Sequence, residues 1–246
     1  MYLPSPSMRA LIVGESGCGK TTLLLDLLLE DGFLDYDNLI LCGKSLHQPE
    51  YQLLAAGIAR GYTKNAIRKL FQKGSGDVNA YISRLRQKEQ QPLNIEIYDD
   101  SSAIPDPQDL NRNQKNLCVF DDLMTDSNQN AAESYYTRGR HNNVSCIYIT
   151  QNYHRLPRQT IRSNANCLIL FRQSNKDFSL DEFRQLCSKA WQNDYGYLII
   201  NRPFRPEHGR YIVNMEQAYI TGAVIVNKML RKLPMPEMHL PVAANS

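Results

Sequence analysis

Short apolar runs alternate along this chain with longer stretches of helical periodicity. Two of the runs, Leu117–Phe120 and Val144–Thr150, are almost continuously apolar, which is typical of strands that helices cover on both faces. The alternation predicts an α/β fold with a mostly parallel sheet flanked by helices. The predicted strands are Ala10–Val13, Leu39–Cys42, Ile95–Tyr98, Leu117–Phe120, Val144–Thr150, Cys167–Phe171, Tyr197–Asn201 and Arg210–Val213.

The segments between the strands predict the helices and the domain limits. Helices are predicted directly after Lys20 and at about residues 49–60, 64–73, 77–89, 107–113, 128–138 and 179–190. Residues 46–92 are polar, helical and too long for a simple crossover, so we expect a helical insertion within a domain of residues 1–219. The last two strands flank prolines and predict a C-terminal β-hairpin. Residues 220–246 are proline-rich and predict a loosely ordered extension.

A glycine-rich segment joins the first predicted strand to the first predicted helix and matches the Walker A pattern. Its glycines let successive backbone N–H groups face one centre, where a polyphosphate sits, and the helix adds its positive N-terminal end. Lys20 is predicted to neutralise the β- and γ-phosphates, and the Thr21 hydroxyl to bind Mg²⁺. The segment therefore predicts ATP and Mg²⁺ as cofactors. The predicted phosphate-binding residues are Gly14, Glu15, Ser16, Gly17, Cys18, Gly19, Lys20, Thr21 and Thr22.

Two carboxylates, Asp121 and Asp122, end the apolar strand at Leu117–Phe120. In a Walker B motif the first carboxylate holds Mg²⁺ and the second polarises the attacking water. Asp99 and Asp100 also end a strand, but residues 94–98 alternate between polar and apolar side chains, which suits an edge strand. Asp121 is therefore predicted as a metal ligand and Asp122 as a catalytic acid.

Arginines are concentrated between Ser134 and Arg172, a span that contains no Asp, Glu or Lys. Arginine suits bidentate phosphate contacts, although a solvated basic face has the same composition. Arg138 and Arg140 follow a predicted helix and precede a central strand, and in ring-shaped P-loop motors this region can reach a neighbouring subunit's γ-phosphate as an arginine finger. The sequence leaves the choice between the two open.

Gln151 ends the strand at Val144–Thr150. This strand is predicted to lie between the P-loop strand and the Walker B strand, which would place Gln151 near the γ-phosphate. There its amide can orient water and report the state of the nucleotide. A strand-ending glutamine without a role is the alternative.

Bulk composition is that of an ordinary globular protein of 246 residues with a net charge of +3. Four of the six cysteines, Cys42, Cys118, Cys146 and Cys167, lie within or beside apolar runs and are predicted to be small buried side chains in a reducing compartment. No run approaches the roughly 20 apolar residues that span a bilayer. We expect a soluble, intracellular protein with no membrane partner.

In their combination and order these motifs resemble the DNA-packaging ATPases of poxviruses, virophages and Polinton/Maverick elements, which belong to the FtsK–HerA superfamily of P-loop ATPases. The residues that carry the resemblance are Gly14–Thr21, Val119–Leu123, Thr137–Asn143, Thr150–Tyr153 and Ile161–Arg162. The resemblance implies a RecA-like fold and a homo-oligomeric ring that pumps double-stranded DNA into a capsid. It further implies capsid proteins as partners and a location in the host nucleus, a cytoplasmic virus factory or the virion.

Carried over by position, the resemblance makes Lys20 and Asp122 catalytic, Gln151 the sensor, and Arg138 or Arg140 the finger. In the wider superfamily the catalytic acid is often glutamate, and Asp122 is one methylene shorter. Contact with DNA is expected to be electrostatic and independent of sequence. The candidate residues for it are Arg60, Lys64, Arg68, Lys69 and Lys73 in the insertion, and Arg155 and Arg158 near the pore.

Other functions share part of these motifs. A helicase or a conjugation-type pump uses every one of the catalytic residues, and a small-molecule kinase could use Arg138 and Arg140 as lid arginines. A GTPase is disfavoured, because Asn175-Lys176-Asp177 lacks the residue that guanine recognition needs between lysine and aspartate. A module that binds nucleotide without hydrolysis is disfavoured by the intact Lys20 and the two carboxylates.

Overall fold

One sheet of eight strands organises the part of the chain that the computed structural model describes, namely residues 7–72, 93–123, 129–171, 187–188, 190–192, 195–202 and 211–214. The strand order is β3-β2-β4-β5-β1-β6-β7-β8. The six strands from β3 to β6 are parallel, and β7 and β8 continue the sheet antiparallel. The strands are β1 Arg9–Val13, β2 Asn38–Gly43, β3 Asn94–Tyr98, β4 Asn116–Asp121, β5 Val144–Thr150, β6 Cys167–Phe171, β7 Tyr197–Asn201 and β8 Tyr211–Val213.

Helices cover both faces of this sheet. The described α-helices are α1 Lys20–Leu29, α2 Pro49–Ala59, α3 Lys64–Gln72 and α4 Asn130–Arg138. Buried side chains of α1, α2 and α3 share one hydrophobic cluster with alternate residues of the central strands. The other residues of those strands form a second cluster with α4 and the turn at Arg158–Arg162. Strands buried on both faces need apolar side chains at successive positions, which is what β4 and β5 have.

The predicted fold class is confirmed, and each predicted strand is present with ends that differ by at most one residue. Arg210, which begins the last predicted strand, lies outside the described residues. The edge position predicted for residues 94–98 is confirmed, because β3 begins the strand order. So is the pairing of the last two strands as an antiparallel hairpin.

The helix predicted at residues 107–113 is wrong, because turns occupy these positions. Asp106 accepts a hydrogen bond from the backbone of Gln108, and Asn111 does the same for Asn113. Aspartate and asparagine side chains that bond to their own backbone compete with helix formation. The predicted helix at 77–89, most of the one at 179–190, and the C-terminal extension lie outside the described residues.

The helices between β2 and β3 are integral to the packing of the sheet. Tyr51, Leu54, Ile58 and Ile67 are fully or almost fully buried and belong to the same cluster as α1 and the strands. The first two helices predicted within 46–92 thus form one layer of the core, whereas residues 73–92 lie outside the described part.

Two of the basic residues suggested as DNA contacts have partners within the chain. The Lys64 ammonium donates to the Leu34 carbonyl at 2.8 Å and lies 3.9 Å from the centre of the Tyr36 ring. Burial lowers the pKa of Lys64. The Arg68 guanidinium lies 2.9 Å from the Glu30 carboxylate. Both cations hold α3 against neighbouring segments.

The predicted burial of four cysteines is confirmed, since Cys42, Cys118, Cys146 and Cys167 are free thiols with no exposed surface. Among the described residues, no helix is long and apolar enough to cross a membrane.

Candidate functional site

The topology of the sheet places most of the site residues predicted from the sequence at the edge formed by the carboxyl ends of the parallel strands. In a parallel sheet the carboxyl ends of the strands meet, and β5 lies between β1 and β4 as predicted. Val13 pairs with Thr150, and Asp121 pairs with Ile149. The P-loop, the two carboxylates and Gln151 therefore all emerge at the same edge within two neighbouring strand spacings, about 10 Å.

The P-loop wraps around the Lys20 side chain. Gly17 and Gly19 have φ angles of 77° and 95°, which residues other than glycine rarely adopt. Gly19 is the N-cap residue of α1. The Lys20 ammonium donates to the carbonyl oxygens of Gly14 at 2.8 Å and Glu15 at 2.6 Å. These contacts centre the cation in the loop at the N-terminus of α1, where anions bind favourably.

Asp121 and Asp122 differ sharply in environment. Asp121 is 6% exposed, and burial raises the pKa of its carboxyl, assisted by the Asp122 charge and opposed by Tyr51 and Lys20. Asp122 is less buried and has a φ of 52°, a left-handed conformation in which aspartate and asparagine are enriched among non-glycine residues. The chain thus turns sharply after β4, and the second carboxylate leaves the line of the strand.

Gln151 contacts the carboxylate predicted to act on water. Its side-chain amide nitrogen lies 3.3 Å from Asp122 Oδ2. Both side chains line the cavity over the P-loop. The structure therefore places Gln151 where an amide can orient both a carboxylate and a water molecule.

A cavity of about 520 Å³ joins these groups. Its wall includes Lys20, Thr21, Thr22, Asp121, Asp122 and Gln151, together with Ser16, Gly17 and Gly19 of the loop. Ile149 and Thr150 at the end of β5 also line it, as do four residues outside the predicted motifs, namely Ser45, Gln48, Glu50 and Tyr195. Three of them precede or begin α2, whose N-terminus consequently faces the loop, and Glu50 brings a third carboxylate to the cavity.

Tyr51, one residue further along α2, forms a hydrogen bond with the Asp121 carboxylate. Its side chain is fully buried, and its hydroxyl donates to Asp121 Oδ2 at 2.5 Å. Burial and the Asp121 charge raise the pKa of Tyr51, so the group is a proton donor at neutral pH. The nearby Thr21 side chain acts in the opposite direction and lowers the pKa of Tyr51. The sequence placed Tyr51 on a helix but gave no sign of this contact, which depends on tertiary packing.

Gly43 allows β2 to approach the first carboxylate closely. A β-carbon at this position would lie 2.5 Å from the Asp121 carbonyl oxygen and 3.2 Å from its Cβ. Real side chains essentially never come so close to backbone, so a larger residue would displace Asp121. This is a positional requirement that no Walker motif describes.

The structure separates Arg138 and Arg140 from the P-loop of their own chain. Arg140 closely precedes Val144, which pairs with Asn116 at the start of β4, so it lies at the opposite edge of the sheet. Arg138 lines a different cavity, together with Lys44 and Asp100. The seven residues of β5 put about 20 Å between the two edges. Neither arginine is thus brought together with the other predicted site residues.

Arg138 and Arg140 differ in their partners. The Arg138 guanidinium lies 2.7 Å from Asp106 Oδ2 and also contacts the Ser134 hydroxyl. Arg140 is exposed, contacts His141 at 3.3 Å, and has no acidic partner among the residues that the structure describes. Of the two, Arg140 presents the more available guanidinium.

The fold and the site together define a P-loop NTPase with an additional strand between the P-loop strand and the Walker B strand. No protein-family model matches the chain, and no curated protein matches it. Solved structures similar to it include the genome packaging NTPase B204 from Sulfolobus turreted icosahedral virus 2 in complex with AMPPCP, with 12% identity over 86% of this chain and 98% of that chain and a TM-score of 0.49.

Two further solved structures are similar to this chain. A DnaB-like replicative helicase has 15% identity over 84% of this chain and 54% of its own, with a TM-score of 0.41. The KaiC-like protein PH0186 from Pyrococcus horikoshii OT3 has 14% identity over 86% of this chain and 91% of its own, with a TM-score of 0.36. At these identities and TM-scores the similarities carry no functional inference.

Proposed function

We propose that this protein is an Mg²⁺-dependent ATPase that drives the translocation of double-stranded DNA, in the manner of a genome-packaging motor. The observation that supports it best is the single cavity in which Lys20, Thr21, Asp121, Asp122 and Gln151 meet. A structural P-loop needs only the first two of these residues. The hydrolytic set, with Gln151 in contact with Asp122, is what water activation requires.

Each side chain has a separate task in this proposal. Lys20 and the loop amides neutralise the β- and γ-phosphates, which lowers the cost of charge that develops on the leaving group. Asp122 accepts a hydrogen bond from the attacking water and draws its proton away, and Gln151 fixes the carboxylate that does so. α2 closes the cavity from the side with Gln48 and Glu50.

The donor set fits magnesium. Mg²⁺ prefers hard oxygen ligands and is usually bound by one or two protein groups together with substrate phosphates and water. Thr21 and Asp121 are two such groups, and the Tyr51 hydroxyl donates a hydrogen bond to the second of them. When bound there, the ion would neutralise phosphate charge. Among the described residues no cluster of three or more His, Cys, Asp or Glu side chains offers a rival site.

Coupling to DNA is supported by the family-like motifs and by the distribution of arginine. Arg155 and Arg158 are exposed in the segment that follows β5, and that strand ends at the nucleotide cavity. If Arg155 and Arg158 bind DNA phosphates, these contacts would move together with Gln151, which lies in the same segment. In the proposed ring, Arg140 of one subunit completes the site of the next.

The test is steady-state ATP hydrolysis with and without linear double-stranded DNA, at low salt and with the oligomer mass measured on the same sample. We expect Mg²⁺-dependent turnover, stimulation by DNA, and a ring-sized oligomer. Because contact with phosphates releases counterions, the apparent affinity for DNA should fall steeply with salt concentration. If the protein is monomeric and DNA does not change its rate of ATP hydrolysis, the ATPase assignment stands and the proposed DNA motor is wrong.

Tyr51→Phe tests the metal site. The change removes one hydroxyl and keeps the buried ring, so we expect the protein to fold and to bind ATP in the presence of EDTA as the wild type does. Loss of a hydrogen bond that orients a metal-binding carboxylate typically weakens metal affinity about 10- to 100-fold. Titration of Mg²⁺ into the nucleotide complex, followed by a fluorescent ATP analogue, measures this shift.

Tyr36→Phe is the matched control for Tyr51→Phe. Tyr36 is also buried, at 2% exposure, and its hydroxyl donates to the Leu28 carbonyl at 3.0 Å, away from the cavity. Its loss should lower the free energy of unfolding by about 1 kcal/mol without changing the Mg²⁺ titration. Equal titration curves for the two variants would show that the Tyr51 hydroxyl serves only the stability of the core.

A further inference from the structure

Tyr195 is a large aromatic side chain that the structure leaves unusually open. It is 69% exposed and lines the cavity over the P-loop. Its ring lies against the loop, because a β-carbon on Gly19 would lie 3.3 Å from Tyr195 Cδ1 and 3.7 Å from the Phe171 ring. The hydrolytic role proposed above makes no use of this ring.

The strand order sets the direction in which a nucleotide lies along the cavity. Asp122 and Gln151 follow β4 and β5, so the γ-phosphate faces that side of β1. The α-phosphate and the nucleoside must then extend to the other side of β1, over β6 and β7. Tyr197, which begins β7, pairs with Phe171 at the end of β6, so Tyr195 lies at the P-loop edge on this second side.

We infer that Tyr195 is the stacking platform for the base of the bound nucleotide. The Tyr195 ring lies beside the P-loop on the side opposite the γ-phosphate. When the phosphates of a nucleotide occupy the loop, its purine base would lie next to this ring. The rings of Phe171 and Tyr197, with centroids 5.3 Å apart, lie at the adjoining strand ends, so this side of the site is aromatic. The inference rests on the proposed nucleotide binding and adds the subsite for the base.

Stacking has a consequence for selectivity. Every nucleobase has an aromatic face, so a stacking platform tolerates different bases, whereas hydrogen bonds to the base edge discriminate between them. Tyr195 should therefore contribute to the binding of ATP and GTP to a similar degree. Its contribution should vanish for a ligand that has phosphates but no base.

The experiment compares ATP, GTP and inorganic tripolyphosphate, in the presence of Mg²⁺, on the full chain by isothermal titration calorimetry. Tyr195→Ala should weaken ATP and GTP about 5- to 100-fold, the range of a lost aromatic–base stack, and leave tripolyphosphate unchanged. Tyr195→Phe should bind all three ligands as the wild type does. Ile97→Ala is the control, since Ile97 is an exposed apolar side chain, at 49%, on the far edge strand β3.

The outcomes separate the two proposals. Failure of the wild type to bind both ATP and tripolyphosphate would overturn the nucleotide site itself. Equal affinities for ATP in the wild type and Tyr195→Ala, with tripolyphosphate still bound, would remove the base subsite alone. Equal losses for ATP and tripolyphosphate would show that Tyr195 supports the shape of the loop and does not stack on a base.

Discussion

Replacing Arg140 with alanine is expected to lower the DNA-stimulated ATPase rate at least ~10³-fold, the scale on which arginine fingers act. Arg140 lies at the edge of the sheet opposite its own P-loop and is exposed, so under the proposed function its target is the nucleotide of another subunit in the ring. ATP binding and ring assembly should be retained, because the side chain does not line the cavity of its own chain. Turnover, nucleotide binding and oligomer mass measured on one preparation check this.

Action in trans has a sharper signature than loss of activity. Arg140→Ala subunits keep an intact P-loop, and Lys20→Ala subunits keep an intact Arg140. A mixed ring creates interfaces that combine the two intact halves, so mixing two inactive variants should restore part of the turnover. No recovery on mixing, with mixed rings verified by mass, would contradict a finger in trans.

Arg138→Ala is the matched control for Arg140→Ala. The Arg138 guanidinium is already engaged by Asp106 and Ser134, and the ion pair is partly exposed. Its loss should change the free energy of unfolding by only about 0–1 kcal/mol and leave turnover largely intact. The opposite pattern, an active Arg140→Ala and an inactive Arg138→Ala, would mean that Arg138 leaves Asp106 in the ring and is itself the finger.

Asp122→Asn is expected to lower turnover about 10²- to 10⁴-fold while Mg²⁺-ATP still binds. Asparagine keeps the size of the side chain and tolerates the φ of 52° at this position, so the backbone should not change. What is lost is the charge that draws the proton from water. Single-turnover hydrolysis and nucleotide affinity, measured side by side, separate the chemical step from binding.

Glu50→Gln distinguishes Asp122 from the other carboxylate on the cavity wall. Glu50 lies in the first turn of α2 and is exposed. We expect this variant to retain most of the turnover, because Gln151 contacts Asp122. An inactive Glu50→Gln beside an active Asp122→Asn would transfer the role of general base to α2.

Much of the fold could be predicted because its local signals agree. The continuous apolar runs of β4 and β5 indicated central strands, and the alternation in residues 94–98 indicated an edge. The failure at residues 107–113 has a local cause, since Asp106 and Asn111 bond to their own backbone and favour turns there. Periodicity alone does not record that competition.

Only some residues of the candidate site could be identified from the sequence. Residues within motifs, such as Lys20 and Asp121, were identifiable because the chemistry of phosphate binding fixes their type and spacing. Tyr51, Gly43 and Tyr195 were not, because each acts through a neighbour that is distant in sequence. The proposal of Arg140 and not Arg138 as the finger likewise depends on Asp106, which lies more than 30 residues earlier in the chain and engages Arg138.

Strand β5 has one further consequence under the proposed ring. Gln151 follows its last residue at one nucleotide site, and Arg140 precedes its first residue at the surface proposed to face the next. Hydrogen bonds to β4 and β1 hold all seven residues in register, so the strand shifts as a unit when it shifts at all. Each subunit would then sense its own nucleotide and act on one neighbour only. ATP hydrolysis would then proceed from subunit to subunit in one direction around the ring. The geometry of β5 would set this direction, whether or not DNA is bound.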